Sequence, residues 1–403
     1  MRASCFFQVK SALLFISSRT FLLMKYLIFS ASILLSTIFH SSAWANPSMV
    51  PEPPRVDARS HILIDYHSGH ILAAQNAEEA MEPASLTKMM TAYVVFKELH
   101  NGEVKLEDKV RVSTKAWRTP GSRMFIEVNT QVSIEQLLKG TIIQSGNDAS
   151  VALAEHIAGS EEVFASMMNE HARNIGMNGT NFVNATGLPD PQHYSTAHDM
   201  AKLAIHLIRE APEYYGWYAE KEYTYGGITQ GNRNLLLYRD NTVDGLKTGH
   251  TESAGYCLVT SALRNDMRLI SVVMGAKSES ARANESQKLL NYGFRFYETH
   301  KLYDATQPVK SVRIWKGASD TVALGLDESM YITVPRGQYD KLDAMLSVDS
   351  NIMAPIQKGQ RIGRVNIKLG TEVLAESSLI ALEDVADGGL WKSLFDNVRM
   401  LWQ

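Results

Sequence analysis

The stretch 82-EPASLTKMMTAYVVFKELHN-101 decides how this chain folds. From Leu86 to Leu99 the apolar residues recur at helical spacing, which predicts a helix with one apolar side. Ser85 stands at the start of that helix, and Lys88 follows about one turn later on the same face. A serine hydroxyl is a weak nucleophile unless a base removes its proton, and lysine is a base only where its ammonium form is disfavoured. The same pattern is also typical of a helix N-cap followed by a solvated lysine, so alone it leaves both interpretations open.

Two more short motifs follow at wide spacing. Ser145-Gly-Asn147 separates two segments of helical periodicity, 134–143 and 149–157. Its serine could relay a proton to a leaving amine, and its asparagine could hold a peptide carbonyl. Lys247-Thr-Gly249 lies on a stretch leading into predicted strands, and offers a second cation, a hydroxyl donor and a glycine that permits close approach of a substrate. Each motif alone is also typical of an ordinary turn.

The order Ser-x-x-Lys, Ser-x-Asn, Lys-Thr-Gly is the combination associated with penicillin-binding proteins and class A β-lactamases. With these motifs in place, the sequence resembles a low-molecular-mass penicillin-binding protein of the D-alanyl-D-alanine carboxypeptidase type from a Gram-negative periplasm. The resemblance covers nearly the whole mature chain. The segments that carry it are 83–90, 144–148, 232–234, 243–251 and 267–271.

The resemblance implies an enzyme in which Ser85 is acylated, Lys88 is its base, and Ser145 relays protons together with Lys247. It also implies an oxyanion hole formed by the backbone N–H groups of Ser85 and His250. The substrate-binding residues that it implies are Asn147, Lys247, Thr248, Gly249, His250, Arg233 and Arg282.

Within that set, Asn147 would hold the substrate amide, while Arg233 and Thr248 would meet its terminal carboxylate. For Arg233 and Arg282 a surface ion pair is the alternative interpretation. Two departures from the family pattern affect the site. The segment from Trp117 to Asn129 is shorter than the corresponding family loop, and a proline follows Gly187-Leu188 where an acidic residue is expected.

The remaining periodicity predicts an α+β fold, with a penicillin-binding-type antiparallel sheet and inserted helices, followed by a small all-β domain and an amphipathic helix. Sheet strands are predicted at 61–66, 71–74, 256–262 and 269–274, and a helix at about 283–297. In the β domain, strands are predicted at 312–315, 331–334, 344–348, 364–368 and 377–382. The expected divisions are a signal peptide with an N-terminal extension (1–45), a catalytic domain (46–298), the β domain (299–386) and the helix (387–403).

Both ends of the chain point to a membrane. Met24-Lys25, the apolar run 26–39 and Ala43-Trp44-Ala45 predict a secretory signal cleaved before Asn46, although an uncleaved anchor is an alternative. The tail places apolar side chains at helical spacing, which predicts a helix lying in the inner-membrane surface, facing the periplasm. A tail helix packed on the protein or forming a dimer contact is the other interpretation.

Several functions are disfavoured by the sequence. A net charge of −3 provides no basic surface for nucleic acid. His193, His198 and His206 lack metal-ligand spacing and are predicted to be solvated or capping, so neither a metal nor another cofactor is expected. Of the two cysteines, Cys5 lies in the predicted signal region, which leaves Cys257 as a buried apolar residue without a disulfide partner.

The predicted reaction is removal of the terminal D-alanine from peptidoglycan stem pentapeptides ending in D-Ala-D-Ala, with acylation by β-lactam antibiotics at the same serine. Three alternatives remain: a β-lactamase, an endopeptidase that cuts cross-links, and a peptidoglycan binder without activity. No Glu-x-x-Leu-Asn-like segment for rapid deacylation occurs between Ser145 and Lys247, which disfavours the β-lactamase. The presence of both Lys88 and Ser145 disfavours the inactive binder.

Overall fold

The computed structural model describes residues 50–400. The predicted signal sequence and its cleavage site therefore lie outside the described residues, as do the last three residues of the tail. Within the described chain the α+β architecture is confirmed. The strands are β1 Ser60–Asp65, β2 Ile71–Gln75, β3 Lys109–Arg111, β4 Gln131–Ser133, β5 Glu222–Tyr225, β6 Ile228–Gly231, β7 Val243–Thr251, β8 Gly255–Arg264, β9 Met267–Ala276, β10 Tyr297–Tyr303, β11 Lys310–Arg313, β12 Thr321–Gly325, β13 Met330–Pro335, β14 Leu342–Val348, β15 Arg361–Leu369 and β16 Glu372–Ala381.

The helices lie mostly between the second and seventh strands. They are α1 Thr87–Asn101, α2 Thr114–Arg118, α3 Ile134–Ile142, α4 Asn147–Ala158, α5 Glu161–Asn174, α6 Ala197–Glu210, α7 Pro212–Tyr215, α8 Leu236–Arg239, α9 Glu279–Phe296 and α10 Gly389–Met400. The predicted helices on either side of Ser145 are present as α3 and α4, and the predicted helix near 283 begins earlier, at Glu279.

A five-stranded antiparallel sheet in the order β2-β1-β9-β8-β7 forms the centre of the molecule. The alternation predicted for 61–66 places Ile62 and Ile64 in the core shared with the inserted helices. Leu63 points to the opposite face, where it belongs to the core formed with Leu289 and Leu290 of α9. The sheet thus separates two apolar layers, and β7 is left as an edge strand.

Helix α1 differs from its prediction in one respect. The spacing of its apolar residues predicts one buried side, yet every residue from Thr87 to Phe96 is buried. The reason is its position, because α1 packs against the helices α3, α4, α5 and α6. The helix ends at Gly102, whose left-handed backbone (φ 78°) is easily adopted without a Cβ.

The C-terminal β domain contains a five-stranded antiparallel sheet, β11-β12-β16-β15-β14, and a two-stranded sheet formed by β10 and β13. Strands β10 and β12 were not predicted. The segment YETHKLY of β10 is half-polar and follows a helix directly, so its extended form depends on pairing with β13. The two domains are joined by side-chain hydrogen bonds, including one from Thr299 Oγ1 to Asp65 Oδ2 at 2.7 Å.

Helix α10 contacts the β domain through its polar side. Asp396 is 1% exposed and accepts a hydrogen bond from the backbone N–H of Lys316 at 2.7 Å. Its apolar residues face away from the protein, with Leu390 91% and Trp391 77% exposed. Among the described helices, none combines the length and hydrophobicity needed to span a bilayer.

Candidate active site

Ser85 lies in a single 3₁₀ turn, Ala84–Leu86, immediately before α1. The turn starts at Ala84 with a left-handed backbone (φ 50°), a conformation that non-glycine residues adopt only where the surroundings impose it. Gly187 lies directly against this turn, and a Cβ on it would be 1.8 Å from the Ala84 carbonyl oxygen. The glycine therefore allows the loop that follows α5 to approach the Ser85 turn closely.

Lys88 is oriented toward Ser85 as the motif predicts. Its Nζ lies 3.1 Å from Ser85 Oγ and donates to the carbonyl oxygen of Thr186 at 2.6 Å. The side chain is 1% exposed, and burial lowers the pKa of its ammonium to about 7, with the charge of Arg233 acting in the same direction and that of Asp148 opposing it. A neutral amine beside the hydroxyl is the form that can remove its proton.

A second lysine–serine pair faces the first. Ser145 lies in the connection between α3 and α4, as predicted, and its backbone there is left-handed (φ 61°). Lys247 Nζ donates to Ser145 Oγ at 2.9 Å and to the carbonyl oxygen of Thr248 at 3.0 Å. Burial lowers the pKa of Lys247 well below its usual value, and the charges of Lys88, Arg233 and Arg282 add to the effect. A positive charge on Lys88 thus disfavours a second one on Lys247.

Strand β7 carries the Lys-Thr-Gly motif, whereas the sequence predicts it on a stretch leading into the sheet. The motif lies within the edge strand itself, and β7 pairs with β8 alone. The backbone edge that faces away from β8 can pair with an extended peptide. Gly249 allows this strand to lie against the Ser85 turn, because a Cβ there would lie 3.2 Å from the backbone nitrogen of Ser85. His250 is exposed and stacks on Tyr256, with ring centroids 4.0 Å apart.

The two arginines occupy different environments. Arg233 is exposed and donates to Ser122 Oγ at 2.5 Å, so it lies beside the short loop that flanks the site. Arg282 is buried behind β7 and donates to the carbonyl oxygen of Gly249 at 3.0 Å. Its guanidinium also lies over the ring of Tyr256, 5.5 Å from the centroid. Arg282 therefore contacts the strand of the site from its inner side.

The short segment 117–129 folds over the N-terminus of α4. Asn147 Nδ2 donates to the carbonyl oxygen of Pro120 at 2.6 Å. The backbone N–H of Asn147 donates to the carbonyl oxygen of Ser122 at 2.7 Å. The buried carboxylate of Asp148 accepts the backbone N–H groups of residues 124–126 at 2.8 to 3.2 Å. These bonds give the segment a defined course despite its length, and they occupy part of the Asn147 amide.

These distances place two serines, two lysines and an open strand edge in one place. Over residues 47–278 the sequence matches the family described as D-alanyl-D-alanine carboxypeptidase, and over residues 297–387 it matches the penicillin-binding protein 5 C-terminal domain. The chain belongs to the D-alanyl-D-alanine carboxypeptidase family.

Individual members of the family agree with this assignment. The chain is 45% identical over 371 residues to D-alanyl-D-alanine carboxypeptidase DacC of Escherichia coli K12, covering 90% of this chain and 92% of DacC. Its structure is similar to that of penicillin-binding protein 5 from Haemophilus influenzae, with a TM-score of 0.81, 43% identity, and coverage of 84% of this chain and 100% of the other. It is also similar to the ampicillin-bound form of penicillin-binding protein D2 from Listeria monocytogenes, with a TM-score of 0.56, 31% identity, and coverage of 60% and 100%.

Two residues of this D-alanyl-D-alanine carboxypeptidase-type site were missed at the sequence level. The carbonyl of Thr186 carries no side-chain signal, yet it accepts a hydrogen bond from Lys88. His193 was predicted to be solvated or capping, and this is wrong, because the ring is 2% exposed and hydrogen-bonded to Thr87 Oγ1 at 2.8 Å. The signal for its burial lies in the loop that surrounds it, which periodicity does not reveal.

The structure agrees better with the predictions for His198, His206 and the cysteine. His198 and His206 are half-buried and pair with Glu78 and Glu210. Cys257 is buried in β8, as predicted. Across residues 50–400, no three side chains of the metal-binding types come close enough together to hold an ion.

Proposed function

We propose that this chain is a serine D-Ala-D-Ala carboxypeptidase that removes the terminal D-alanine from peptidoglycan stem pentapeptides through an acyl-enzyme on Ser85. The observation that carries the proposal is the 3.1 Å contact between Ser85 Oγ and a buried Lys88 whose pKa is about 7. At that pKa about half of the molecules hold a neutral base at pH 7. Membership of the carboxypeptidase family supports the same reaction.

Acylation begins when Lys88 takes the proton of Ser85 and the serine oxygen attacks the carbonyl carbon of the penultimate D-alanine. The backbone N–H groups of Ser85 and His250 stabilise the developing oxyanion, an interaction typically worth about 10²–10³ in rate per donor. Ser145 passes its proton to the departing amine, and the proton that Lys88 took from Ser85 replaces it by way of Lys247, which contacts Ser145. Lys88 is thereby neutral again. Water then hydrolyses the ester, and Lys88 again serves as the base.

The stem peptide pairs with the free edge of β7, which runs past the nucleophile. Thr248 and the exposed Arg233 bind the terminal carboxylate, and Asn147 binds the substrate amide through the part of its side chain that Pro120 does not occupy. Lys247 and Gly249 belong to the same binding surface. Arg282 contributes through its bond to the Gly249 carbonyl, which holds the strand from behind.

β-Lactam antibiotics are proposed to acylate Ser85 in the same way, since the fold is shared with a penicillin-binding protein seen in an ampicillin-bound form. An endopeptidase acting on cross-links would use the same groups. The distinction rests on the product, which is free D-alanine for the carboxypeptidase and separated muropeptides for the endopeptidase.

We also propose that the protein is exported and attached to the periplasmic face of the inner membrane through α10. Support comes from the signal-like N-terminus and from the exposed apolar side of the helix, which includes Trp391 and Phe395. Because Asp396 is held by Lys316, the apolar side is directed away from the β domain. The domain limits 46–298, 299–386 and 387–403 form part of this proposal.

Mass spectrometry after exposure to benzylpenicillin tests the central claim. The intact protein should gain the mass of one antibiotic, and digestion should place it on the peptide that contains Ser85. The Ser85→Ala variant should neither take up the label nor release D-alanine from a diacetyl-L-Lys-D-Ala-D-Ala peptide. Label on another residue, or D-alanine release by that variant at the wild-type rate, contradicts the proposed function.

A further inference from the structure

The loop that follows α5 returns to the active site and contacts α1 at three points. The hydroxyl of Thr87 is hydrogen-bonded to His193. Lys88 donates to the carbonyl oxygen of Thr186, and Thr91 donates to that of Ala185. The contact of Lys88 with Thr186 is thus flanked on both sides by threonine bonds to the same loop.

The two nitrogens of His193 bind two different segments. The backbone N–H of Val183 donates to His193 Nδ1 at 3.1 Å, so this nitrogen must carry the lone pair. The proton of a neutral ring then lies on Nε2, which donates to Thr87 Oγ1 at 2.8 Å. Burial keeps the ring neutral by lowering its pKa to about 4.

The positions of these partners relate His193 to the base. Val183 precedes Thr186 by three residues, and Thr87 directly precedes Lys88. One ring nitrogen therefore holds the loop that supplies the acceptor for Lys88, and the other holds the helical turn that carries Lys88.

Lys88 needs such an acceptor in order to act as a base. A neutral amine has two N–H groups and one lone pair, and rotation about its last carbon–nitrogen bond decides where that lone pair points. An N–H donated to Thr186 at 2.6 Å restricts this rotation and leaves the lone pair free to face Ser85 Oγ. A displaced carbonyl would release the rotation and weaken proton transfer.

We propose that His193 is a positioning residue of the acylation reaction, which joins the Thr186 loop to the first turn of α1 and so orients Lys88 toward Ser85. The inference rests on the proposed role of Lys88 as the base. His193 acts through Thr87, Val183 and Lys88 and does not itself contact the reacting atoms.

The test compares variants that remove one or both bonds. Thr87→Val keeps the branched shape and removes the hydroxyl. His193→Asn can still accept from Val183, His193→Gln can still donate to Thr87, and His193→Leu can do neither. We expect the benzylpenicillin acylation rate to fall about tenfold or more in Thr87→Val and His193→Leu, with the Asn and Gln variants between them and wild type.

The peptide assay separates positioning from general stability. For the same variants, kcat for D-alanine release should fall while KM stays within about twofold, because binding groups are unaltered. Rates are counted per molecule that can be labelled by penicillin, so a partly unfolded sample does not mimic the effect. The double variant Thr87→Val/His193→Asn should be no slower than its slower parent, since both changes remove one shared bond. His198→Asn, which changes a histidine of the same region that contacts Glu78, should react at the wild-type rate.

Two results would overturn the inference while leaving the proposed function intact. One is wild-type acylation by folded Thr87→Val, which remains informative even if His193→Leu fails to fold. The other is a double variant Thr87→Val/His193→Asn whose acylation rate falls by the product of the two single-variant factors. Lys88→Ala is measured in parallel, since full acylation by that variant would instead contradict the proposed function.

Discussion

The pH dependence of Ser85 acylation is the most direct consequence of the buried Lys88. An ordinary lysine with a pKa of 10.5 is neutral in about one molecule in three thousand at pH 7, whereas a pKa of about 7 makes it neutral in about half. Below pH 7 the rate should therefore fall about tenfold for each pH unit, and above about pH 8 it should level off. The rate rises with pH because protonation of Lys88 at low pH removes the lone pair that accepts the serine proton.

Arg233 provides a perturbation that shifts this curve in a known direction. Its positive charge is one cause of the lowered pKa of Lys88, so Arg233→Gln should raise that pKa and move the midpoint to higher pH. Raising the ionic strength should move the wild-type midpoint in the same direction, because Arg233 is exposed and its charge is screened by salt.

The assay is stopped-flow acylation by a chromogenic cephalosporin between pH 5 and pH 10. The midpoint, and not the maximal rate, is the relevant quantity, since Arg233 is also proposed to bind the ligand carboxylate. Arg239→Gln is the matched control, because that exposed arginine pairs with Asn284 and is not a cause of the Lys88 shift. A flat profile, or a wild-type midpoint near 10.5, would refute Lys88 as the base.

Further changes test other parts of the molecule. Ser145→Ala should retain a larger fraction of the wild-type rate of penicillin acylation than of D-alanine release, because a strained lactam needs less assistance with its leaving group. Both rates are measured for this variant and for wild type. Gly187→Ala should lower both the thermal unfolding midpoint and the acylation rate, since the added Cβ meets the Ala84 carbonyl at 1.8 Å and the backbone φ is 80°; unchanged calorimetry would contradict the close approach. Lys88→Met should abolish acylation yet raise the unfolding midpoint, because it removes an ionisable group from a buried site. Deleting 388–403 should abolish sedimentation with anionic vesicles while leaving peptide hydrolysis intact, and equal sedimentation of both forms would exclude the helix as the anchor.

Much of the site could be predicted because its chemistry is encoded locally. A serine and a lysine three residues apart at the start of a helix share one face, whatever the rest of the fold does. The tight connection at Ser145 and the alternation in β1 are likewise properties of short segments, and both predictions are confirmed. The helical spacing of the tail predicts its apolar side in the same way.

Other features depended on partners distant in sequence. The complete burial of Thr87–Phe96 results from the helices around α1, and β10 is extended because β13 pairs with it. The direction in which the tail presents its apolar side depends on the bond between Asp396 and Lys316, 80 residues apart.

The sequence by itself determined which groups are proposed to perform the chemistry, because Ser85, its neighbouring lysine and the second lysine–serine pair are carried by short motifs. Only the tertiary structure decided that Lys88 can act as a base, since its pKa depends on burial and on the charge of Arg233, which comes from a distant segment. Only the tertiary structure likewise showed that His193 and the Thr186 carbonyl contact α1. They lie about a hundred residues further along the chain, in a loop without regular periodicity. Local patterns determine which side chains share a face, whereas desolvation and long-range contacts determine their protonation and orientation.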